Sequence, residues 1–346
     1  MAEGYTENRG LERRHDNPSG GAIGRSGNRG HLQPLRRAKH RHLRGGAGLR
    51  CRNGQAHRRR PGRIAPMADR RGGRPRRGLR LLEEMERQLE GWDTSRFTGW
   101  LSWCKERQKR YPTVLPKHRE FKGRINPYHF IEILFEHLQE DDAVVTGNAT
   151  ACIVSFQASN LKLGQRLFSN SGSASMGYDL PAAIGAAIAR EGQRMICLAG
   201  DGSLQMNIQE LQTVSHHQLP IKIFVLNNNG YLSIRTSQKG FFGDAIGEGP
   251  DSGVTFPSME KIARAYEIPF KRLDDASFAG HLQEVLNMQG PVICEVMLDS
   301  TQGFEPRQSS RQLPDGRIVS APLEDMFPFL DREELAENLL IPPWEE

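Results

Sequence analysis

Residues 195–203 have the sequence MICLAGDGS, and this stretch decides the fold. Five apolar residues come first, and they run without interruption into Gly200, Asp201, Gly202 and Ser203. Residues 221–230, IKIFVLNNNG, have the same pattern: a second largely apolar run is followed by asparagines and a glycine. Apolar runs of this length, closed by turn-forming residues, are typical of strands that are buried on both faces of a parallel sheet.

Short apolar runs alternate with amphipathic segments over the rest of this region. Asn126 followed by Pro127 is typical of a helix start, since asparagine caps a helix and proline fits its first position. The pattern predicts an α/β fold, a parallel sheet with helices on both faces and right-handed crossovers. Predicted strands are 143–145, 166–168, 195–199, 221–226, 269–272 and 292–296. Predicted helices include 180–189, 258–266, 278–288 and one through 208–214.

The N-terminal segment has a different composition from the rest of the chain. Residues 1–80 contain 22 basic and 5 acidic residues, a net charge of +17, whereas residues 81–346 contain 25 and 36, a net charge of −11. Sparse apolar residues without helical or strand period predict a disordered Arg/Gly-rich arm over 1–80. Three interpretations stay open: a nucleic-acid-binding arm, a solvated tail, or an out-of-frame segment. Tyr5 is its one aromatic residue, which disfavours binding of single-stranded nucleic acid.

The remaining chain divides into three predicted parts. Leu81, Leu82, Met85 and Leu89 have helical spacing, and a second helix follows, so 81–120 is interpreted as a helical remnant of a central domain with a linker. Residues 121–300 form the predicted α/β domain. Residues 301–346 are predicted to be an extended C-terminal tail, because prolines recur along them at Pro306, Pro314, Pro322 and Pro328.

Several classes of protein are excluded by composition. No apolar run is long enough to span a membrane, and the N-terminus has no apolar region of a secretory signal. The five cysteines are scattered and form no CxxC pair, which disfavours a disulfide framework or a zinc site. Reduced thiols without a membrane segment favour a cytoplasmic protein.

The polar ends of the two central strands predict a metal site. Ligands of open parallel sheets bind beyond the carboxyl ends of the strands, and 24 residues separate Gly202 from Asn227, enough for one helix and one strand. Asp201 offers a carboxylate, Asn228 an amide oxygen and Gly230 a backbone oxygen, which suit Mg²⁺ shared with a diphosphate. Gly200 and Gly202 allow a tight turn, and Ser203 is expected to begin a loop that leads to an anion-favouring helix N-terminus. No GxGxxG or P-loop motif is present.

These motifs resemble those of a known family. The GDG motif, the 24-residue spacing and the following Asn-Asn resemble the signature of thiamine diphosphate-dependent enzymes. Residues 171–186, SGSASMGYDLPAAIGA, and residues 201–211, DGSLQMNIQEL, are similar to acetolactate synthases and pyruvate oxidases. The resemblance covers about 125–300, the diphosphate-binding domain of that family, and implies its thiamine diphosphate-binding fold. Residues 81–112 resemble the end of the family's central domain.

The resemblance implies a role for each matching residue. Asp201 and Asn228 match the Mg²⁺ ligands, Gly230 matches the backbone ligand, and Met176 matches the catalytic support of the cofactor's V-shaped conformation. The carbonyl of Ala174 matches the acceptor of the cofactor's 4′-amino group. The remaining cofactor-binding positions implied are Asn148, Ala149, Thr150, Gly200, Gly202 and Ser203.

The departures from the family bear on the reaction. Thr150 and Ala151 stand where acetolactate synthases often have Gln-His, and Ser233 and Ser237 stand where a Met and a Trp shape the acceptor pocket. A different acceptor pocket argues against acetolactate synthesis as the specific reaction. Nothing in 1–80 resembles the pyrimidine-binding domain whose glutamate assists the cofactor, so the chain is expected to be the C-terminal part of a longer enzyme.

The sequence therefore predicts the thiamine diphosphate- and Mg²⁺-binding domain of a 2-keto acid decarboxylase or carboligase, a lyase or transferase resembling acetolactate synthase. Expected partners are a 2-keto acid and either further copies of the chain or a pyrimidine-domain protein. The chain alone is expected to have weak activity or none. Two alternatives stay open: a non-catalytic cofactor-binding fragment, and nucleic-acid binding through the basic arm.

Overall fold

A computed structural model describes residues 75–312 and 315–341 of the chain. The disordered arm predicted for 1–80 lies outside these residues except for 75–80, which are helical. The chain divides into two compact units, residues 1–90 and 91–346. The described part of the first unit is helix α1, Pro75–Leu89. It begins before the predicted boundary at residue 81, and it contains the apolar residues whose helical spacing predicted a helix here.

The second unit is built on a six-stranded sheet in which every neighbouring pair of strands is parallel. Its strand order is β2-β1-β3-β4-β6-β5, so the two strands with polar ends, β3 and β4, are central neighbours. The predicted α/β fold with a parallel sheet is confirmed. The strands are β1 Ala143–Thr146, β2 Arg166–Phe168, β3 Met195–Gly200, β4 Ile221–Asn227, β5 Phe270–Leu273 and β6 Val292–Met297.

Alternate residues of the central strands enter two different cores, one on each face of the sheet. Phe224 and Leu226 of β4 pack on one face, and Ile223 and Val225 pack on the other. The first core is completed by helices α4 Pro127–His137, α5 Ala149–Ala158 and α11 Phe278–Asn287. The second is completed by α6 Asp179–Ala189, α8 Leu211–His216 and α10 Met259–Ala265. Burial on both faces explains why these strands are mostly apolar.

The stretch after β3, where one helix through 208–214 was expected, contains three short elements, two of which overlap that range. Helix α7, Asp201–Leu204, follows β3 directly, a 3₁₀ segment spans Gln205–Glu210, and α8 follows. Asn207 leaves helical geometry (φ −136°, ψ 34°) because its side-chain amide donates a hydrogen bond to the carbonyl of Gly177, 2.7 Å away. Ser203 therefore lies within a helical turn, and the expectation that it begins a loop is wrong.

Several helices are present that the sequence pattern did not single out. Two flank the polar strand ends: α5, which starts three residues after β1, and α9, Leu232–Phe242, which follows β4. A third, the four-residue α3, Pro116–Arg119, lies before the sheet. It follows helix α2, Thr98–Arg110, which was predicted. Asn126 caps α4 as predicted, since its side chain accepts a hydrogen bond from Tyr128 N at 2.9 Å.

The C-terminal segment has more structure than an extended tail. Within 301–346 the chain forms a short antiparallel hairpin, β7 Ser310–Gln312 and β8 Ile318–Ser320, and helix α12, Arg332–Asn338. The side chain of Asp331 caps α12 by accepting from Glu333 N. The hydroxyl of Tyr111, just after α2, donates to Glu334 at 2.6 Å. The cap and this long-range contact explain helix formation in a proline-rich segment. Over the residues described, no helix is long and apolar enough to cross a membrane.

A first prediction tests the core beneath the sheet. Phe130 on α4 is completely buried between Phe224 and Phe278, with ring centroids 5.8 Å and 6.3 Å away. We expect Phe130→Ala to lower the free energy of unfolding by about 3–5 kcal/mol, because it leaves a cavity among rigid neighbours. Urea unfolding measures this loss. Phe242→Ala is the control, since Phe242 is 81% exposed and its loss should change stability by less than about 0.5 kcal/mol. Equal effects would contradict the described packing.

Candidate active site

The segments that follow β3 and β4, helix α7 and a loop, meet at one edge of the sheet. The two strands pair in parallel register from Met195 opposite Ile221 to Gly200 opposite Leu226, so their carboxyl ends are level. A hydrogen bond joins the two segments: the N–H of Gly230 donates to the carboxylate Oδ2 of Asp201 at 3.0 Å. The structure therefore brings together the three predicted metal-binding residues, Asp201, Asn228 and Gly230.

Asp201 is a buried carboxylate held by backbone groups. It is 4% exposed, and its Oδ1 accepts from Gly202 N at 2.9 Å while Oδ2 accepts from Gly230 N. Over the described part of the chain it forms no salt bridge. Burial raises the pKa of Asp201 to about 6, although the backbone N–H donors oppose this shift. The charge of Arg235 also lowers this pKa, but it is among the weaker causes, and the site contains a buried carboxylate without a salt bridge among the described residues.

Asn228 presents a free acceptor next to this carboxylate. Its amide nitrogen donates to the hydroxyl of Thr150 at 3.2 Å, whereas its Oδ1 is buried and has no hydrogen-bond partner. A buried polar atom without a partner is costly and usually indicates a missing ligand or water. Thr150 therefore orients the side chain of Asn228, a contact that the sequence did not predict.

The backbone at Gly230 can be formed only by glycine. Its φ is 143°, and a Cβ atom at this position would overlap the carbonyl oxygen of Glu248. That same oxygen accepts a hydrogen bond from Tyr231 N at 2.7 Å. The preceding residue, Asn229, also has left-handed geometry with φ 60°. The loop after β4 is thus fixed against the segment around Glu248.

Gly202 and Gly200 differ in what surrounds them. A Cβ atom at Gly202 would overlap the ring of Tyr231 and lie 3.0 Å from that of Phe256, whereas one at Gly200 would lie 3.8 Å from its nearest neighbour, Ser203. The sequence predicted that both glycines allow a tight turn. At Gly202 the structure adds a further reason for glycine, the close approach of an aromatic ring.

A second network anchors the segment that carries Met176. Ser203 Oγ donates to the buried carboxylate of Asp179 at 2.6 Å and accepts from Gly177 N at 2.9 Å. The carbonyl of Gly177 accepts from Asn207, so this residue, with φ 77°, is held from both sides. Burial raises the pKa of Asp179, and its bond to Ser203 opposes that shift. Met176 is thereby fixed beside the loop after β3.

Most of the predicted site residues line one cavity at this edge. Ala174 is the exception: it has left-handed geometry with φ 49°, and its N–H bonds to Asn170 O. The residues that line the cavity are Asn148, Ala149, Thr150, Met176, Gly200, Asp201, Gly202, Ser203, Asn228 and Gly230, together with Ala151, Tyr231, Leu232, Ser233 and Ile234.

Ser233 thus lines the cavity at the position where the resemblance placed a pocket residue, and Ser237 is not part of its lining. The side chains of Tyr231, Leu232 and Ile234 were not predicted. The one sequence signal that could have indicated them is the aromatic residue Tyr231, which directly follows Gly230. In the described ranges, no three His, Cys, Asp or Glu side chains cluster as a metal centre would require, so a metal here would be held by one carboxylate and neutral oxygens.

A second prediction tests the network around Ser203. We expect Ser203→Ala to lower the free energy of unfolding by about 1–3 kcal/mol, because the N–H of Gly177 and the carboxylate of Asp179 would both lose a buried partner. Denaturant titration measures the change. Ser237→Ala, at an exposed position of α9, is the matched control. A Ser203 variant as stable as this control would show that the network contributes nothing.

Comparison with known proteins identifies the domain. Residues 146–296 match the profile of the family described as "Thiamine pyrophosphate enzyme, C-terminal TPP binding domain". The chain is 30% identical over 202 residues to the acetolactate synthase large subunit of Porphyra purpurea, covering 58% of this chain and 33% of that protein. It is 28% identical over 211 residues to the acetolactate synthase isozyme 1 large subunit of Escherichia coli K12, covering 60% and 36%.

Among solved structures, a thiamine diphosphate-dependent 4-hydroxybenzoylformate decarboxylase of Rhodococcus jostii RHA1 aligns with a TM-score of 0.45 and 23% identity, over 52% of this chain and 34% of that one. The chain spans about a third of the length of the acetolactate synthase subunits it matches. Residues 146–296 of the chain are thus similar to the C-terminal TPP-binding domain of thiamine pyrophosphate enzymes.

Proposed function

We propose that the cavity at the ends of β3 and β4 binds Mg²⁺ together with the diphosphate of thiamine diphosphate, as part of a 2-keto acid decarboxylase or carboligase similar to acetolactate synthase. The observation that carries this proposal is the buried, unpartnered Oδ1 of Asn228 in the same cavity as the buried carboxylate of Asp201, which has no salt bridge among the described residues. A cation would satisfy both groups at once, since it accepts a lone pair from each and neutralises the buried charge.

The available ligands suit Mg²⁺ in chemistry and number. Mg²⁺ prefers six oxygen ligands and usually shares them with phosphates and water. Asp201 would supply a carboxylate oxygen, Asn228 its amide oxygen and Gly230 its backbone carbonyl. The diphosphate and a water molecule would supply the rest. Neither cysteine nor histidine lines the cavity, which disfavours the softer transition metals.

The diphosphate would lie against the start of α5. This helix has ten residues, and Asn148, Ala149 and Thr150 form its N-terminus at the cavity. Free N–H groups and the helix dipole favour an anion there. The hydroxyl of Thr150 accepts from Asn228, so its own proton stays available for a phosphate oxygen. Gly200, Gly202 and Ser203 would border the same group from the other loop.

Met176 is proposed to support the bent conformation of the cofactor from below, with the carbonyl of Ala174 accepting from its amino group. The anchoring of Gly177 by Ser203 and Asn207 would keep Met176 in place. When bound, thiamine diphosphate supplies the electron sink through which a 2-keto acid loses CO₂. The residues of this chain would bind and orient it. The substrate class, a 2-keto acid, and the lyase or transferase outcome are parts of this proposal.

One observation favours a second candidate, a cofactor-binding module without catalysis of its own. Asp201 is the one acidic side chain among the described residues lining the cavity, and it is assigned to the metal. The enclosed space is about 90 Å³, well below the roughly 300–1,000 Å³ of complete small-molecule pockets. We therefore propose that a pyrimidine-binding domain, from another protein or another copy, completes the site.

The metal assignment is tested by two substitutions. We expect Asp201→Asn to weaken Mg²⁺-dependent binding of thiamine diphosphate, because it removes the one charged ligand. Substitution of residues that only contact metal ligands weakens binding roughly 10–100-fold, and the loss here should be larger. Asn228→Ala should weaken binding less. Calorimetric titration with and without Mg²⁺ measures both. Asp244→Asn, an exposed carboxylate, is the control. Affinity of Asp201→Asn equal to that of the control would refute the site.

Catalysis separates the two candidates. With saturating cofactor and Mg²⁺, we expect the chain alone to release CO₂ from pyruvate at least about 10²-fold more slowly than a complete acetolactate synthase, because an assisting carboxylate is worth about 10²–10⁴-fold. A slow but measurable rate from the chain alone would support the first candidate, whereas a rate that appears only after a pyrimidine-binding domain is added would support the binding module. Turnover by the chain alone at the rate of a complete enzyme would contradict the need for a second domain.

A further inference from the structure

Behind the proposed metal site lies an ion pair that sequence spacing does not reveal. Arg235, on α9, donates from Nε to the carboxylate of Glu248 at 2.6 Å. Their side chains are 14% and 8% exposed, so the pair is largely removed from water. Burial makes such a pair costly to form unless its remaining donors and acceptors are also satisfied.

The remaining donors of Arg235 are directed to the loop after β4. One terminal nitrogen donates to the carbonyl of Asn228 at 3.2 Å and the other to that of Asn229 at 2.8 Å. A third carbonyl, of Ser300, lies 3.4 Å from the first nitrogen. Glu248 contacts the loop as well, because its backbone oxygen accepts from Tyr231 N. The two residues of the pair therefore hold the loop at 228, 229 and 231, on both sides of Gly230.

The contacts of Arg235 and Glu248 hold the loop after β4 in a backbone conformation that it would otherwise leave. Asn229 and Gly230 both have positive φ, 60° and 143°, and for a residue other than glycine, such as Asn229, this conformation is sparsely populated. It persists where surrounding contacts fix it. The carbonyl bonds of Arg235 act on the residue that would supply the amide ligand and on the one that precedes the backbone ligand.

We propose that Arg235 and Glu248 are positioning residues that fix the spacing of the Mg²⁺ ligands Asn228 and Gly230. The inference rests on the proposed function, since it assigns the pair a role at that same site. Mg²⁺ demands near-ideal octahedral geometry at about 2.0–2.1 Å, whereas Ca²⁺ tolerates irregular geometry at about 2.3–2.6 Å. A loosened loop should therefore lose Mg²⁺ more than Ca²⁺.

The chain offers a matched control at the opposite edge of the sheet. Arg194, directly before β3, donates from Nε to Asp142 at 2.9 Å and from a terminal nitrogen to the carbonyl of Leu286 at 3.1 Å. The exposed fractions of this pair, 18% and 6%, are close to those of Arg235 and Glu248. Arg194→Lys thus removes a comparable buried network that is far from the proposed ligands.

The experiment compares Arg235→Lys with Arg194→Lys. Lysine keeps the charge but cannot reproduce the several directed donors of a guanidinium. Binding of thiamine diphosphate is measured by calorimetry over a range of Mg²⁺ and then of Ca²⁺ concentrations, which gives the half-saturating concentration of each metal without recourse to activity. We expect Arg235→Lys to raise the Mg²⁺ value about 10–100-fold, as loss of outer contacts does in metal sites. The Ca²⁺ value should rise by a smaller factor, and Arg194→Lys should change neither.

Other outcomes separate this inference from the proposed function. Equal rises for Mg²⁺ and Ca²⁺, or a change no larger than that of Arg194→Lys, would overturn the positioning role while leaving the metal site intact. Metal-independent cofactor binding by the unmodified chain would overturn the proposed function and this inference together. Should Arg235→Lys fail to fold, Glu248→Gln decides: it keeps the shape and the backbone contact to Tyr231, and it must show the same preferential loss of Mg²⁺.

Discussion

One hydrogen bond, from the N–H of Gly230 to the carboxylate of Asp201, is the contact on which the site depends. It joins the loop after β4 to the first residue of helix α7, and it forms because β3 and β4 end level with one another. The bond also contributes to keeping a buried carboxylate in a place where it has no cationic partner. Burial that raises the pKa of Asp201 to about 6 works against the folded protein near neutral pH, unless a cation compensates.

The surroundings of this bond divide into two networks that act on opposite sides of the cavity. On one side, Asp179 and Ser203 hold Gly177 and hence Met176. On the other, Arg235 and Glu248 hold the loop at 228–231. Neither network includes the oxygen of Asn228 that faces the cavity without a partner. The fold thus satisfies the groups that shape the site and leaves the proposed ligand unsatisfied, a pattern expected where binding outweighs stability.

The sequence alone predicted the sheet, because continuous apolar runs closed by glycine or asparagine have few other interpretations. It also predicted that the polar ends of β3 and β4 lie at the same edge of the sheet. The kink at Asn207 was missed because it depends on a carbonyl thirty residues earlier in the chain. Arg235 and Glu248 were missed for the same reason, since thirteen residues separate them and nothing local requires that they meet. Gly202 was predicted as a position that needs glycine, but the approach of the Tyr231 ring was not predicted, because Tyr231 reaches it only after the strands have paired.

The charge of the proposed site also explains why it has one carboxylate and not several. Two or three carboxylates would cancel the charge of Mg²⁺ and repel a diphosphate from the same cavity. One carboxylate with neutral amide and backbone oxygens leaves a net positive charge facing the helix α5 N-terminus, where an anion is already favoured. Arg235 does not disturb this balance, because Glu248 neutralises it within the same buried pair. In this proposal the ligand set would hold a bare cation weakly and would suit a cation that arrives with its phosphates, so metal binding and cofactor binding would depend on each other.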